Sequence, residues 1–257
     1  MTREVHVDAL TVVVGDDTHE MAESAARDAR AAIVAAIAAR GEANVMLATG
    51  NSQLAFLDAF IRNADVAWER VRAFHMDEYV GISADHSASF RRYMRERVAT
   101  RVPLKEFHYI EGDAADAEAE ARRYEALLRE FPLDVCCCGI GENGHLAFND
   151  PPVAKFDDPR DVKIVALEPQ SRRQQVGEGH FPSIDEVPMH AITVTVPALL
   201  RAARVLAIVP EARKVPAVRA TLHDPITPAC PATVLRRQPH ATLYLDHESA
   251  RGISEHA

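Results

Sequence analysis

Short apolar runs alternate with longer helix-like segments along almost the whole chain, and this alternation restricts the fold more than any other feature. Residues 20–40 are alanine-rich, with Val34 and Ile37 among apolar positions at helical spacing, and they read as a helix. Residues 44–48 read as a buried strand, and residues 53–61 return to helix with Leu54, Phe56, Leu57 and Phe60 on neighbouring turns. The same reading predicts strands at 71–76, 107–110, 134–138, 162–167, 192–196, 205–209 and 242–245, with helices at 87–98, 115–131, 198–202 and 211–222. Strands joined by helical crossovers lie parallel and are covered on both faces. The expected architecture is therefore α/β: one Rossmann-like domain with an open, mostly parallel sheet and helices on both sides. No internal repeat, low-complexity tract or linker divides the 257 residues. The least regular stretch, 170–188, contains Gly177, Gly179 and two prolines, and reads as a functional loop.

Composition narrows the partners. A formal charge of -9 argues against nucleic acid and anionic membranes, which need a net cationic face. It leaves room for a phosphorylated metabolite, because a local cluster of donors suffices for one phosphate. No apolar run approaches the ~20 residues of a membrane span. The first residues are too charged for a secretory signal, so the cytoplasm is the expected location. Cys136, Cys137 and Cys138 are contiguous, and neighbours on a strand point to opposite faces. They form neither a metal clip nor a disulfide framework, and read as small apolar residues of a buried strand. Cys230 stands alone before Pro231.

The strand predicted at 134–138 runs into Gly139-Ile-Gly-Glu-Asn-Gly-His-Leu-Ala-Phe-Asn-Asp150. The glycine spacing matches a dinucleotide-binding fingerprint, which requires a helix to start inside the run so that a pyrophosphate can sit on its N-terminus. Pro151 and Pro152 follow too closely for that helix. The turn instead delivers His145, with Asp150 five residues on, at the strand's C-terminal edge, where open α/β sheets place their ligands. A lone histidine is more often a structural hydrogen-bonder; the rigid turn and the nearby carboxylate favour a proton-transfer pair.

Two other strand ends carry polar residues. Thr49, Gly50, Asn51 and Ser52 form a strand-to-helix turn whose amides and hydroxyls suit a phosphate, the plain alternative being N-capping by Asn51 or Ser52. Asp77 and Glu78 follow another apolar strand directly. Adjacent side chains on an extended chain point apart, so one of the two carboxylates is expected to enter a site. A metal site built from His75, Asp77, Glu78 and His86 lacks a tight ligand spacing, and no metal is expected.

Together these segments resemble the glucosamine-6-phosphate deaminase family, also called isomerase, which shares its fold with the 6-phosphogluconolactonases. The resemblance extends from Val45 to about Asp246. It rests most on FHMDEYVG (74–81) and GIGENGHLAFNDP (139–151), supported by Thr49 and Gly50, by AITVT (191–195) and by Lys214. Lactonases tend to carry arginine where this chain has Tyr79 and lack the Ala147-Phe148-Asn149 continuation, so the deaminase branch is the better match. The resemblance implies that an amino-sugar phosphate is opened to its linear form, a proton moves from C2 to C1, and ammonia is lost to give fructose 6-phosphate. It implies no metal and no organic cofactor. His145 matches the ring-opening acid/base, Asp77 the carboxylate that moves the C2 proton, and Asp150, with Asn143, the group that orients His145. Thr49, Gly50, Asn51, Ser52, Gly144 and Lys214 match the substrate and phosphate cradle.

The chain departs from the family at several positions. Asp150 stands where glutamate is usual and is one methylene shorter, so the loop must move closer or a water must bridge. Asn143 stands where many members have aspartate. Asn51-Ser52-Gln53 replaces Gly-Thr-Pro, and residues 176–181 (VGEGHF) are unlike the family norm. Arg172 and Arg173 are the nearby candidates for the family's phosphate-binding arginine. Two other readings remain: a 6-phosphogluconolactonase-type hydrolase, which needs only His145 and a phosphate site, and a sugar-phosphate sensor without turnover. A homo-oligomer is compatible with all three.

Overall fold

The computed structural model describes residues 2–62, 65–177 and 179–253. The chain begins with β1 (Arg3–Val7), β2 (Leu10–Val14), α1 (Thr18–Arg40), β3 (Ala43–Leu47) and α2 (Leu54–Ile61). It continues through β4 (Val71–His75), β5 (Asp77–Tyr79), α3 (Phe90–Met94), β6 (Glu106–His108), α4 (Ala117–Glu130) and β7 (Val135–Cys138). The remainder comprises β8 (Val162–Ala166), α5 (Pro169–Gly177), β9 (His190–Val194), α6 (Val196–Leu200), β10 (Arg204–Val209), α7 (Val215–His223) and β11 (Ala241–Leu245).

Among the described residues, eight strands form one sheet in the order β1-β2-β11-β10-β7-β3-β4-β6, parallel throughout except for the β1–β2 hairpin. From β3 the chain moves outward through β4 to β6, then returns to place β7 on the other side of β3 and proceeds through β10 to β11. The switch in direction lies between β3 and β7, and the crevice beyond the C-terminal ends of such a pair is where doubly wound sheets bind ligands. Topology alone thus selects the Thr49 turn and the glycine loop as site-forming segments.

The apolar pattern is two-sided, as a central parallel strand requires. Cys137 packs with Val45, Leu47 and Ile208 under α1 and α2, while Cys136 and Cys138 pack with Met46, Val205 and residues of α4 and α7. α1 is capped at both ends: Asp17 Oδ1 accepts the Glu20 N–H at 2.7 Å, and Gly41, at φ 86°, donates its N–H to Ile37 O at 2.8 Å. Its buried face is Met21, Ala25, Ala29, Ile33 and Ala36. Val34 is 42 % exposed and Ile37 only half-buried, because alanines let the helix lie close to the sheet along a neighbouring stripe.

Several sequence expectations need correction. The β1–β2 hairpin precedes the first element read from the sequence. The strands predicted at 162–167 and 192–196 do not join the main sheet; β8 and β9 form a separate antiparallel sheet with β5. The predicted 87–98 helix begins at Phe90 and widens into a π-helical turn over Arg95–Ala99. The stretch 170–188, read as a loop, is partly helical because it contains most of α5.

Candidate active site

The loop after β7 shows what each glycine of its motif does. Gly141 donates its N–H to His145 O at 2.9 Å and accepts the Gly144 N–H at 3.0 Å, which closes the turn. A β-carbon on Gly141 would stand 2.2 Å from Cε1 and Nε2 of His145, so the imidazole lies against this backbone. Gly144 sits at φ 82°, and a β-carbon there would meet Cys230 Sγ at 2.4 Å. No helix is described between β7 and α5, so the glycine run carries no pyrophosphate-binding helix. Gly144 was also expected among the substrate-binding residues. It does not line the cavity; it shapes the loop and accepts the Ala232 N–H at 2.9 Å.

His145 Nδ1 lies 2.9 Å from Asp150 Oδ1, so the shorter carboxylate reaches the ring without a bridging water. Two further donors converge on that oxygen: Asn143 Nδ2 at 2.8 Å and Ser171 Oγ at 2.7 Å. Asn143 Oδ1 also accepts the His145 N–H at 3.1 Å, so one amide braces both members of the pair. Burial opposes ionisation of Asp150, yet the bonds from His145, Asn143 and Ser171 hold its carboxyl below the ordinary aspartate range. An ionised Asp150 fixes the ring so that Nδ1 faces the carboxylate, leaving Nε2 for chemistry. Ser171 belongs to no motif; only the fold of α5 brings it here.

Asp77 and Glu78 diverge as alternation on a strand requires. Glu78 turns into the protein and accepts Ser89 Oγ at 2.9 Å and the N–H groups of Phe90 and Arg91 at 3.1 and 2.9 Å, which anchors the start of α3. Burial raises its pKa against those bonds. Asp77 lines the cavity, and no described residue hydrogen-bonds its carboxyl. Burial, and secondarily the charge of Glu78, push its pKa well above the usual aspartate value. His75 is used elsewhere: its Nε2 accepts the Ile110 N–H at 2.8 Å, and burial together with Arg91 lowers its pKa to about 3. Among the described residues no cluster of His, Cys, Asp and Glu is arranged to hold a metal ion.

The turn after β3 completes the cavity. Gly50 adopts φ 106°, ψ 162°, a conformation essentially reserved for glycine, and its carbonyl accepts Tyr93 Oη at 2.9 Å and the Gln53 N–H at 3.1 Å. Thr49, Gly50 and Ser52 line the cavity; Asn51, expected with them, is exposed and does not. Buried Gln53 was not anticipated. Its Nε2 donates to Ile208 O at 3.0 Å and packs against Gly139, joining the ends of three strands. Lys214, at the start of α7, is 4 % exposed; its Nζ donates to Ile140 O at 2.9 Å and it lines the same cavity.

The two arginine candidates are not brought to the cavity. Arg172 donates to the carbonyls of Ile184 and Val187 at 2.5 and 2.9 Å, stapling the segment after α5, and Arg173 is exposed. From that segment it is Gln175 and His180 that line the cavity, residues no motif marks. The cavity, about 640 Å³ and open to solvent, thus gathers Asp77, His145, Lys214 and the Thr49–Gly50 turn from four separate strand ends.

Comparison with known proteins agrees with this geometry. Residues 16–244 match the family described as glucosamine-6-phosphate isomerases/6-phosphogluconolactonase. A glucosamine-6-phosphate deaminase of Exiguobacterium sibiricum is 35% identical over 211 residues, 82% of this chain and 81% of that protein. One of Bacillus thuringiensis is 35% identical over 209 residues, 81% of this chain and 78% of that protein. The solved structure of a monomeric glucosamine-6-phosphate deaminase superposes with a TM-score of 0.86 at 30% identity, covering 94% of this chain and 99% of that one. A 6-phosphogluconolactonase of Shewanella baltica, at 19% identity and TM-score 0.75 over 94% of this chain and 99% of that one, shares the fold. With strand order, glycine loop and relatives in agreement, the chain belongs to the glucosamine-6-phosphate isomerase/6-phosphogluconolactonase family.

Proposed function

We propose that this protein is an isomerising deaminase that converts glucosamine 6-phosphate to fructose 6-phosphate and ammonia. The observation that carries the reading is the convergence in one cavity of a hydrogen-bonded histidine–aspartate pair and a carboxyl that no described residue hydrogen-bonds. In this reading Thr49, Gly50, Ser52 and Lys214 hold the phosphate, which does not react. Its binding energy places the sugar carbons against Asp77. His145, through Nε2, takes the proton of the anomeric hydroxyl and returns it to the ring oxygen, opening the ring. The ionised Asp150 stabilises the imidazolium that forms between the two transfers. Asp77 then removes the C2 proton while the substrate's ammonium group gives one proton to the C1 carbonyl oxygen, and the C2 proton is delivered to C1, leaving a C1 hydroxyl and a protonated imine at C2. Water adds there, ammonia leaves, and the ketose phosphate remains. Burial raises the Asp77 pKa above the ordinary aspartate value, which strengthens the carboxylate as a base. Lactone hydrolysis has no use for such a group, and this favours the deaminase over the hydrolase.

The test is release of ammonia and ketose phosphate from glucosamine, galactosamine and mannosamine 6-phosphates, with 6-phosphogluconolactone assayed alongside. Turnover of the glucosamine compound is expected. Hydrolysis of the lactone alone, or binding of amino-sugar phosphates without ammonia release, would overturn the reading in favour of the hydrolase or the sensor respectively.

A further inference from the structure

Glu211 holds a backbone conformation, φ 82° and ψ 140°, that a residue with a β-carbon does not adopt without help from its surroundings. The help comes from Asp246, one residue beyond β11, whose two carboxylate oxygens accept the Glu211 N–H at 3.2 and 3.1 Å. The same carboxylate accepts Thr18 Oγ1 at 2.7 Å and the Ser249 N–H at 2.8 Å, and the residue is 2 % exposed. Burial opposes its charge, but the bonds from Ser249, Thr18 and Glu211 keep the carboxyl below the usual aspartate range. A buried anion thus joins the start of α1, the turn before α7 and the segment after β11.

That turn ends at Lys214. The Lys214 N–H donates to Glu211 O at 3.0 Å, so the strained residue opens the turn that carries the lysine. Lys214 Nζ then bonds the Ile140 carbonyl in the histidine loop. The Glu211 side chain contributes less: its contact with Arg213, and that of Arg213 with Glu142, involve side chains that are 31–40% exposed and screened by solvent. The backbone clamp, rather than these surface ion pairs, sets the turn.

We propose that Asp246 is a positioning residue for the phosphate site: by holding Glu211 in its strained conformation it fixes Lys214 relative to the histidine loop. The proposal rests on the reading that Lys214 binds the substrate phosphate.

The test uses the full-length protein, with KM for glucosamine 6-phosphate and, independently of turnover, its Kd by calorimetry. Asp246→Asn replaces one of the two acceptor oxygens that face the Glu211 N–H by an amide N–H, so the clamp weakens and kcat/KM falls on the order of 10- to 100-fold, as misplacement by about 1 Å costs. Glu211→Gly added to Asp246→Asn removes the need for a clamp and recovers most of the loss, whereas Glu211→Gln added instead does not. In a Lys214→Ala background Asp246→Asn weakens binding little further. Undiminished binding in Asp246→Asn, no recovery with Glu211→Gly, or the full loss persisting without Lys214 overturns the proposal. Should Asp246→Asn alone fail to fold, a folded double variant with restored Kd supports it, and one that stays unfolded or binds weakly refutes it. A wild-type protein that binds the sugar phosphate without releasing ammonia defeats the deaminase reading, while the Kd series still tests the clamp.

Discussion

Replacing Gly141 by alanine should disable His145 while leaving the protein folded. The new β-carbon would stand 2.2 Å from Cε1 and Nε2 and 2.4 Å from Nδ1 of the imidazole. Non-bonded carbons settle at about 3.5–4.0 Å, so one partner must retreat by more than ~1 Å. The backbone is the stiffer partner, held by Gly141 N–H to His145 O at 2.9 Å and Gly144 N–H to Gly141 O at 3.0 Å. The imidazole is anchored through its 2.9 Å contact with Asp150, so it is the ring that swings. A displacement of ~1 Å takes that contact beyond hydrogen-bonding range, and misplacement of that size costs on the order of 10²-fold in rate. Overpacking of this kind costs about 1–3 kcal/mol, and each kcal/mol lowers Tm by roughly 2–4 °C in a chain of this size. The assay pairs kcat for ammonia release with a thermal melt. Gly177→Ala is the control, because among the described residues no heavy atom beyond its chain neighbours and its own helix backbone lies within 4 Å of its β-carbon position. A Gly141→Ala protein with wild-type kcat would refute the reasoning, as would a rate loss shared equally by Gly177→Ala.

Asp77→Asn should lower kcat by the ~10²–10⁴-fold that general acid–base catalysis contributes, with KM little changed. It should also stabilise the protein near neutrality. A carboxyl whose folded pKa is raised favours the fold below its unfolded pKa and loses that contribution as pH rises through the folded value, so the Tm gain should shrink as pH falls from neutrality toward the ordinary aspartate value. Glu78→Gln should instead lower Tm, because an amide nitrogen faces backbone N–H groups and leaves a buried donor unsatisfied at about 1–3 kcal/mol; kinetic losses equal to those of Asp77→Asn would sink the division of roles. Asp150→Asn should move the acidic limb of the pH–rate profile to lower pH or lower its plateau, since an amide orients the ring without stabilising its cation. The folded pKa of Asp150 is depressed, so its stabilising contribution is present above the ordinary aspartate value and disappears as pH falls through the folded one; the Tm difference between Asp150→Asn and wild type should do the same. Lys214→Ala should weaken binding of the phosphorylated sugar and slow turnover, and free glucosamine should be a very poor substrate; equal rates with and without the phosphate would contradict the cradle.

Much of the site was legible because its signals are local. The Gly139–Asp150 segment names the turn, the histidine and its partner within a dozen residues, and contiguity keeps them together whatever the remainder does. The opposite fates of Asp77 and Glu78 follow from strand alternation alone. Ser171, Gln175 and His180 had no such signal; they lie in a stretch whose apolar pattern is too weak to announce α5. Arg172 and Arg173 were adjacent in sequence to where a phosphate ligand was sought, yet carbonyls of the following segment claim one guanidinium and solvent the other.

The sequence by itself determined the parallel α/β class, the strand ends that meet at the candidate site and the two-sided burial of Cys136, Cys137 and Cys138. Each follows from periodicity or from backbone limits within a few residues. Only the tertiary structure decided that β8 and β9 leave the main sheet to pair with β5, that β7 returns beside β3 to open the crevice, and that Asp246 reaches across to Glu211. Those outcomes depend on pairings between segments far apart in the chain. A strand's own residues specify its buried faces, but its neighbours are set by the packing of the whole.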